Sequence, residues 1–345
     1  MRTRVLSAGS KKNILLAARL IRSGEVVAFP TETVYGLGAD ATNSVAVAKV
    51  FALKERPSFD PLIVHIASFD MLPAVVSSVP ESAQRLMKAF WPGPLTLVMF
   101  KSEAIPDIVT AGLPTVAVRM PSNEVALALI RETGIPIAAP SANRFGRPSP
   151  TRAEHVLEDL GGKIALILDG GATQIGVEST VLDLTCSPPV ILRPGGVSRE
   201  VLEGVLGEVL LPSEADEGIV RSPGQIKQHY APKARVLLFD GEPRGRAIAA
   251  IKAKVNELEG VARVGVMVPE EETCHFGGDV VVMSPGSYNE LEAVASRLFE
   301  TLRAFDRAGV DYILALAPPR KGIGLAIFDR LFKAAGSQVI RVNGT

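Results

Sequence analysis

Short apolar runs recur along the chain, and this recurrence constrains the possible folds more than any other feature of the sequence. Runs of this length are typical of strands, and too few helical segments separate them for a strict strand–helix alternation. We therefore expect a large mixed sheet, of α/β or α+β type, in the first two thirds of the chain. The strand candidates are 25–29, 62–66, 95–100, 115–120, 135–139, 164–169 and 179–184, and the helix candidates are 1–24, 44–54, 123–133 and 152–160.

The pattern changes after about residue 208. Residues 212–232 are polar and contain prolines, which is typical of a linker. From Lys233 onward apolar runs alternate with helical segments, and this alternation predicts a smaller, Rossmann-like domain of βαβ type. The sequence thus divides into a first domain (1–211), the linker, and a second domain (233–345).

Charge and cysteine content argue against several classes of protein. Lys and Arg together number 37, as do Asp and Glu, so the formal net charge is zero. A protein held to nucleic acid by bulk charge would carry a basic excess, although a local basic patch stays open. Cys186 and Cys274 form neither a zinc spacing nor a disulfide framework, which favours a reduced, cytoplasmic setting. No signal peptide and no apolar run of membrane-spanning length is found, so we expect no membrane association.

A polar turn is predicted directly after the first strand. Residues 30–38 read PTETVYGLG and combine two hydroxyls, a carboxylate and two glycines, which suits a polar ligand at a strand end. The alternative is a tight turn capped by Thr31 and Thr33. The letters GLGADA also match the dinucleotide-binding pattern GxGxxA, but no clear strand, glycine loop and helix follow in the required order.

Two cations stand at the end of the predicted helix 44–54, and a loop stiffened by two prolines follows them. Lys54 supplies a point charge and Arg56 a bidentate fork, a combination that suits a polyphosphate. The alternative is that both cations interact with the carboxyl end of the helix dipole. The sequence leaves these two explanations open.

Two further polar residues lie within predicted strands. His65, in LIVHI, fits a hydrogen-bonded core histidine better than a ligand. Arg119 ends an apolar strand, where a buried guanidinium needs an anion or a carboxylate partner. It could therefore bind the carboxylate of an amino acid or form a structural ion pair.

Short hydrogen-bonding side chains cluster in loops near later strands. Ser141, Asn143 and Ser149 lie in PSANRFGRPS, while Ser179 and Arg193 stand at the ends of two further strands. Such loops form ligand sites, but they also simply turn the chain. The sequence contains no P-loop pattern, no GxSxG and no HExxH, so these three chemistries are not expected.

Together these segments resemble the YrdC-like threonylcarbamoyl-AMP synthase family. Their order and spacing match that family from residue 30 to residue 195, which is far more specific than any one segment. The linker SPGQIKQHYAP and the tail GLAIFDRLFKAA resemble the longer, two-domain branch. The matching segments are PTETVYGLG (30–38), KERPSFDPLIVH (54–65), WPGPLT (91–96), TVAVRMP (115–121), APSAN (139–143), GVEST (176–180) and LRPG (192–195).

The resemblance implies a twisted sheet with a deep, positively charged concave cavity. It implies that L-threonine is bound by Thr33, His65, Arg119, Ala139 and Ser179. It implies that ATP is bound by Lys54, Arg56, Asp60, Thr115, Ser141, Asn143, Ser149, Arg193 and Tyr230. Tyr230 would fold back from the linker over the nucleotide. Asp60 stands where the family often has Asn, and its carboxylate would repel a triphosphate unless a metal ion or a hydrogen bond offsets the charge.

The resemblance also implies a reaction. ATP, L-threonine and bicarbonate or CO2 would give threonylcarbamoyl-AMP and pyrophosphate, for threonylcarbamoyladenosine formation in tRNA. Lys54 and Arg56 would stabilise charge, and no side chain would act as a covalent nucleophile. Mg2+ would accompany ATP, with its protein ligands unknown and no organic cofactor. A separate tRNA threonylcarbamoyl transferase would use the product.

Two alternatives belong to other classes of protein. One is an RNA-binding or tRNA-maturation module without synthase activity, for which a weak RNA contact stays open. The zero net charge of the chain and its 5% of aromatic residues argue against RNA binding as the main role. The other is an accessory domain of a carbamoyltransferase, but the zinc-finger and acylphosphatase segments of such chains are missing.

Overall fold

The computed structural model describes residues 2–212, 220–226 and 229–342. The chain divides into two compact units, each built around one sheet. The first unit comprises Met1–Phe145 and Ser149–Gln225. The second comprises Ile226–Thr345 together with the tripeptide Gly146–Pro148, so it is discontinuous in sequence.

Ten strands form the sheet of the first unit. They are β1 (Arg4–Ser7), β2 (Val27–Phe29), β3 (Gly36–Asp40), β4 (Ile63–His65), β5 (Leu95–Phe100), β6 (Thr115–Arg119), β7 (Ile137–Ala138), β8 (Leu166–Asp169), β9 (Thr180–Asp183) and β10 (Val190–Arg193). Their order across the sheet is β1-β8-β2-β3-β7-β4-β6-β5-β9-β10. Strand β6 is parallel to β4 and antiparallel to β5, and β5 is parallel to β9. The sheet is therefore mixed, as the strand pattern predicted.

Helices cover the main core of this sheet. They are α1 (Lys11–Arg22), α2 (Ser44–Lys54), α3 (Glu81–Phe90), α4 (Asp107–Thr110), α5 (Glu124–Thr133), α6 (Ala153–Leu160) and α7 (Arg199–Leu206), with a 3-10 turn at Phe69–Ala74. Asn43 and Asn123 begin α2 and α5, and each side chain accepts two backbone N–H groups of the first turn. Ala17, Ala18 and Ile21 are the buried residues of α1, which packs against α5.

The prediction of one amphipathic helix over residues 1–24 is wrong in its first part. Arg4–Ser7 is a strand that pairs in parallel with β8, with Arg4 opposite Leu166. The helical spacing is present only from Lys11 onward, where α1 begins. Apolar side chains in the preceding residues instead extend the sheet, and Leu6 packs against the main core.

The second unit carries a five-stranded sheet in the order β13-β12-β14-β11-β15, which includes β11 (Arg235–Asp240), β12 (Val264–Met267), β13 (Val281–Met283), β14 (Tyr312–Leu316) and β15 (Ile340–Arg341). All its strand pairs are parallel, as expected of a Rossmann-like domain. Its helices are α8 (Arg244–Leu258), α9 (Leu291–Ala308) and α10 (Gly324–Ala334), with a 3-10 turn at Glu270–His275. Helix α9 buries Leu298, Phe299, Leu302 and Phe305, which recur at helical spacing and form an apolar stripe.

Within the described residues, no helix has both the length and the apolar character needed to span a bilayer.

Candidate active site

One face of the first sheet carries a small apolar patch bordered by polar residues. Successive side chains of a strand point to opposite faces of a sheet. Val118 belongs to the main core, whereas its neighbour Ala117 belongs to a separate cluster with Ile63. His65 and Arg119 follow two residues later on these two strands, so their side chains share the face of the patch. The complete patch consists of Ile63, Val98, Ala117, Val181 and Leu192.

Strand register brings several polar residues to one edge of this face. Strands β4 and β6 are parallel, and His65 lies opposite Arg119 where both strands end. Strand β5 runs the other way and places Leu97 opposite Val118, so Thr96 is level with Arg119. Leu95 lies opposite Thr180 at the start of β9, so Ser179 reaches the same edge.

Arg119 is held by three protein groups. Its Nη2 lies 2.6 Å from Oε1 of Glu32, its Nη1 donates to Oγ1 of Thr33 at 2.9 Å, and its Nε donates to the carbonyl of Gly93 at 3.2 Å. The structure thus contains the ion pair that was one of the two alternatives for this arginine. A guanidinium has five N–H groups, so these three contacts within the described chain leave two for an anion.

His65 is buried beside this arginine. Its Nδ1 lies 3.2 Å from the carbonyl oxygen of Ile63, and its ring meets Phe29 edge to face. Burial, together with the positive charge of Arg119, lowers the pKa of His65 to about 3. The ring is therefore neutral at pH 7 and contributes hydrogen bonding rather than charge.

The turn that holds Thr33 is stabilised by its own side chains. Oγ1 of Thr31 accepts the backbone N–H groups of Thr33 and Val34 and lies 2.8 Å from Oγ1 of Thr33. Strand β3 follows this turn directly. The GLGADA letters therefore lie mostly in a strand rather than in a loop before a helix, so they are not a dinucleotide-binding motif.

Lys54 is the last residue of α2 and points inward. Glu55 follows in the left-handed conformation (φ 56°) and ends the helix. The Lys54 ammonium donates to the carbonyls of Ser141 and Asn143, and so ties α2 to the loop that follows β7. Burial, and then the neighbouring charge of Arg56, lower the pKa of Lys54 well below its ordinary value.

Arg56 and Asp60 form a buried ion pair in the loop after α2. Nη2 of Arg56 lies 2.8 Å from Oδ2 of Asp60, and the guanidinium also donates to the carbonyls of Asp60 and Pro61. Burial raises the pKa of Asp60, while the charges of Arg56, Lys54 and Arg193 act in the opposite direction. The negative charge of Asp60, which would repel a triphosphate, is thus offset by cations of the chain itself.

Ser179 joins two strands through its hydroxyl. Its Oγ lies 2.8 Å from Oγ1 of Thr96, and Nη2 of Arg193 donates both to this Oγ (3.1 Å) and to the Ser179 carbonyl (3.0 Å). The hydroxyl of Ser149 donates to the carboxylate of buried Glu178. Glu178 and Ser179 are adjacent in sequence, so Ser149 and Arg193 contact neighbouring residues of the chain.

Other predicted site residues occupy different positions. Thr115 lies at the opposite end of β6, facing Phe100 and ~13 Å along the strand from Arg119. Ala139 follows β7 and donates its N–H to the carbonyl of Ile63. Tyr230 belongs to the second unit, where its ring lies 5.5 Å from Phe299, and its backbone is left-handed (φ 61°).

Three residues that contact predicted site residues were not themselves predicted. Glu32, Thr96 and Glu178 contact Arg119, Ser179 and Ser149, respectively. Each of them lies inside one of the recognised segments PTETVYGLG, WPGPLT and GVEST. The sequence signal for these residues was a charged or hydroxyl side chain within a matching segment. Such a signal does not reveal which other residue the side chain contacts.

Two protein-family models match the chain. Residues 19–195 match the Sua5/YciO/YrdC family model, described as "Telomere recombination", and residues 197–336 match the model "Threonylcarbamoyl-AMP synthase, C-terminal domain". The chain therefore belongs to the Sua5/YciO/YrdC family, in its two-domain form with a Sua5 C-terminal domain.

Individual relatives agree over nearly the full length. The chain is 51% identical over 336 residues to threonylcarbamoyl-AMP synthase of Bacillus subtilis, covering 95% of this chain and 94% of that protein. It is 49% identical over 341 residues to the Pyrococcus abyssi synthase, covering 95% and 96%. The solved structure of P. abyssi Sua5 complexed with L-threonine matches with a TM-score of 0.92 and 47% identity, over 99% of this chain and 100% of that one.

Proposed function

We propose that this protein is a threonylcarbamoyl-AMP synthase, which forms L-threonylcarbamoyladenylate and pyrophosphate from ATP, L-threonine and bicarbonate. The observation that carries the proposal is the group of buried cations beside the apolar patch: Lys54, Arg56, Arg119 and Arg193. Cations buried at such a cost suit anionic substrates with charge on both a carboxylate and phosphates. The P. abyssi structure, whose protein binds L-threonine, and the names of the relatives support the same reaction.

We assign the threonine half of the site to the edge where β4 and β6 end. Arg119 would bind the substrate carboxylate through its remaining N–H groups, with Thr33 and Ser179 as hydroxyl partners and neutral His65 as a hydrogen-bonding neighbour. The backbone of Ala139 would complete this half.

We assign the nucleotide half to the region around α2 and the loop after β7. Lys54 and Arg56 would face the phosphates, and Arg193 would bind them from the side of Ser179. The hydroxyls and amides of Ser141, Asn143, Ser149 and Thr115 would add hydrogen bonds, as would Tyr230 from the linker. Asp60 would keep Arg56 oriented rather than contact ATP directly.

The chemistry then has two steps. With CO2 as the source, the neutral amine of threonine attacks the carbon, the electron pair of one C=O bond moves onto oxygen, and the amine proton passes to water, which gives an N-carboxylate. With bicarbonate as the source, the C–OH bond breaks instead, and the hydroxide leaves with the amine proton as one water molecule. A carboxylate oxygen next attacks the α-phosphorus of ATP, and the bond to the bridging β-phosphate oxygen breaks. Pyrophosphate leaves with that electron pair. Positioning the two reactants contributes up to ~7–11 kcal/mol to such a step, and the fixed cations stabilise the charge on the phosphates.

Mg2+ would enter as part of the ATP substrate. Among the described residues, no cluster of three or more His, Cys, Asp or Glu side chains could hold a metal ion. Asp60, the acidic group beside the proposed phosphate site, is already paired with Arg56. This donor set fits Mg2+ bound mainly by phosphates and water.

The product would feed a separate transferase that modifies tRNA, and we place the protein in the cytoplasm, where that substrate is found. A direct RNA contact is not needed for the proposed reaction.

The experiment measures pyrophosphate release by the purified chain without RNA. Release should require ATP, L-threonine and bicarbonate together, and omission of any one should return it to background. Isotope from labelled bicarbonate should appear in a product that contains AMP. Release that is independent of threonine would overturn the proposal and indicate a simple nucleotide pyrophosphatase.

A further inference from the structure

The described part of the linker forms a buried turn within the first unit. The side-chain carbonyl of Gln225 accepts the backbone N–H of Arg221 at 2.6 Å and that of Ser222 at 2.9 Å. Gly224 adopts a left-handed conformation (φ 86°), which closes the turn. Ser222 is fully buried. This segment, 221–225, is therefore built into the catalytic unit, and it is called the linker turn below.

An ion pair anchors the linker turn to the sheet. Nη1 of Arg221 lies 2.9 Å from Oδ2 of Asp183, the last residue of β9, whose side chain is only 1% exposed. The other oxygen of this carboxylate accepts the N–H and the hydroxyl of Thr185. A carboxylate this buried loses much of its stabilisation when its cationic partner is removed.

The anchored turn also reaches the proposed substrate site. The carbonyl of Pro223, in the middle of the linker turn, accepts a hydrogen bond from Nη1 of Arg193 at 3.4 Å. The same guanidinium donates to the carbonyl and hydroxyl of Ser179 through Nη2. Arg193 therefore contacts both Ser179, directly before β9, and the linker turn.

We propose that Arg221 and Asp183 are positioning residues for the synthase reaction. They fix the linker turn on β9, the turn orients Arg193 through the Pro223 carbonyl, and Arg193 binds the phosphates of ATP. The role of Arg193 rests on the proposed function, whereas the anchoring itself does not. Loss of the ion pair should therefore weaken nucleotide binding without removing any group that contacts the nucleotide.

The test compares Arg221→Ala and Arg221→Lys with Arg199→Ala in the full-length chain. Arg199 forms a 2.7 Å ion pair with Glu203 on a partly exposed helix of the same unit, so it is a matched arginine control that does not contact the linker turn. The first readout is the Kd for a non-hydrolysable ATP analogue, which needs no turnover. The second is amide hydrogen exchange in peptides that contain residues 221–225. The third is the KM for ATP against kcat.

We expect Arg221→Ala to raise the Kd and the KM for ATP about tenfold, equal to 1.4 kcal/mol, with a smaller change in kcat. Exchange at the amides of Arg221 and Ser222 should accelerate, and Arg221→Lys should restore part of both effects because a cation remains. Arg199→Ala should leave all three readouts at wild-type values.

Two results would overturn the inference. One is an unchanged Kd for the ATP analogue in Arg221→Ala despite faster exchange, since the turn would then not act on nucleotide binding. The other is a fall in kcat at constant KM in both Arg221→Ala and Arg221→Lys when thermal unfolding shows that both variants are folded, since the ion pair would then not act on ATP binding. If the wild-type chain binds the analogue but releases no pyrophosphate, the proposed function fails while the anchoring is still measured by exchange.

Discussion

At the scale of single residues, the candidate site is organised before any substrate arrives. Arg56 is oriented by Asp60, Arg119 by Glu32, and the ammonium of Lys54 by two backbone carbonyls. Each cation is therefore fixed in place by groups of the chain. A fixed cation needs little reorganisation when an anion binds, and this is how preorganised sites stabilise charge.

Arg119→Ala should raise the threonine requirement sharply and affect ATP binding less. Losing a charge-assisted contact to the substrate carboxylate should cost ~2–5 kcal/mol of binding free energy. Calorimetric titration with threonine and with an ATP analogue measures both effects. Arg131→Ala, an exposed arginine of α5, serves as the control. Because Glu32 would lose its partner, thermal unfolding must show that the variant is folded. Unchanged threonine affinity would contradict the assignment.

His65 should make stability depend on pH. Its pKa is about 3 in the folded protein and 6.5 in the reference state, so the unfolded chain binds more protons between these values. The stabilising contribution of neutral His65 is complete above pH 6.5 and is lost as the pH falls toward 3. Urea unfolding at pH 5 and pH 8 should show a smaller difference for His65→Asn than for the wild type. An equal difference in both proteins would mean that other groups cause the pH dependence.

At the scale of elements, local pattern predicted most of the core but not its pairings. Helix α2 spans residues 44–54 and β5 spans residues 95–100, as expected, because their apolar spacing is a local property. GLGAD was not predicted as a strand because its glycines suggested a turn. Gly38 in fact has no room for a Cβ, which would lie 2.6 Å from the ring of Phe29. The contact of Glu32 with Arg119 joins distant segments, and only the assembled sheet reveals it.

The α2 element and its loop should discriminate between nucleotides. Lys54→Ala and Arg56→Ala are expected to weaken binding of ATP more than binding of AMP, because both cations are assigned to the β- and γ-phosphates. Titration with AMP, ADP and ATP tests this order, with Lys88→Ala, at an exposed lysine of α3, as the control. Lys54 also holds the loop at Ser141 and Asn143, so Arg56→Lys is the milder comparison. An equal loss for AMP and ATP would place these cations elsewhere.

At the scale of the whole molecule, a formal charge of zero coexists with strongly charged interiors. The sequence total of 37 basic and 37 acidic residues argues against bulk attraction to nucleic acid as the main role. It carried no information about where those charges lie. Within the first unit, two buried cations, Arg56 and Arg119, are each paired with a buried carboxylate, Asp60 and Glu32.

The linker should be necessary for activity as well as for connection. Residues 213–219 and 227–228 of the predicted lid lie outside the described residues, while the linker turn belongs to the first unit. Truncation after Leu211 also removes Arg221, the partner of buried Asp183, so thermal unfolding must first show that the shortened chain is folded. We expect this folded chain to have lost most synthase activity, because the labile N-carboxylate would meet water. Tyr230→Ala should weaken ATP binding, with Tyr230→Phe as the control that keeps the ring. Full activity of the truncated protein would rule out the lid.

The tripeptide Gly146–Pro148 belongs to the second unit, although the residues on either side of it belong to the first. It lies between the proposed nucleotide residues Asn143 and Ser149 in sequence, yet Arg303 donates to the carbonyl of Pro148, and Arg147 pairs with Asp306 at 2.7 Å. If a gene fusion replaced the second domain with an unrelated one, these three residues would lose their partners Arg303 and Asp306. The two halves are therefore not interchangeable modules, and substitutions on α9 and in the 146–148 segment should be selected together during evolution.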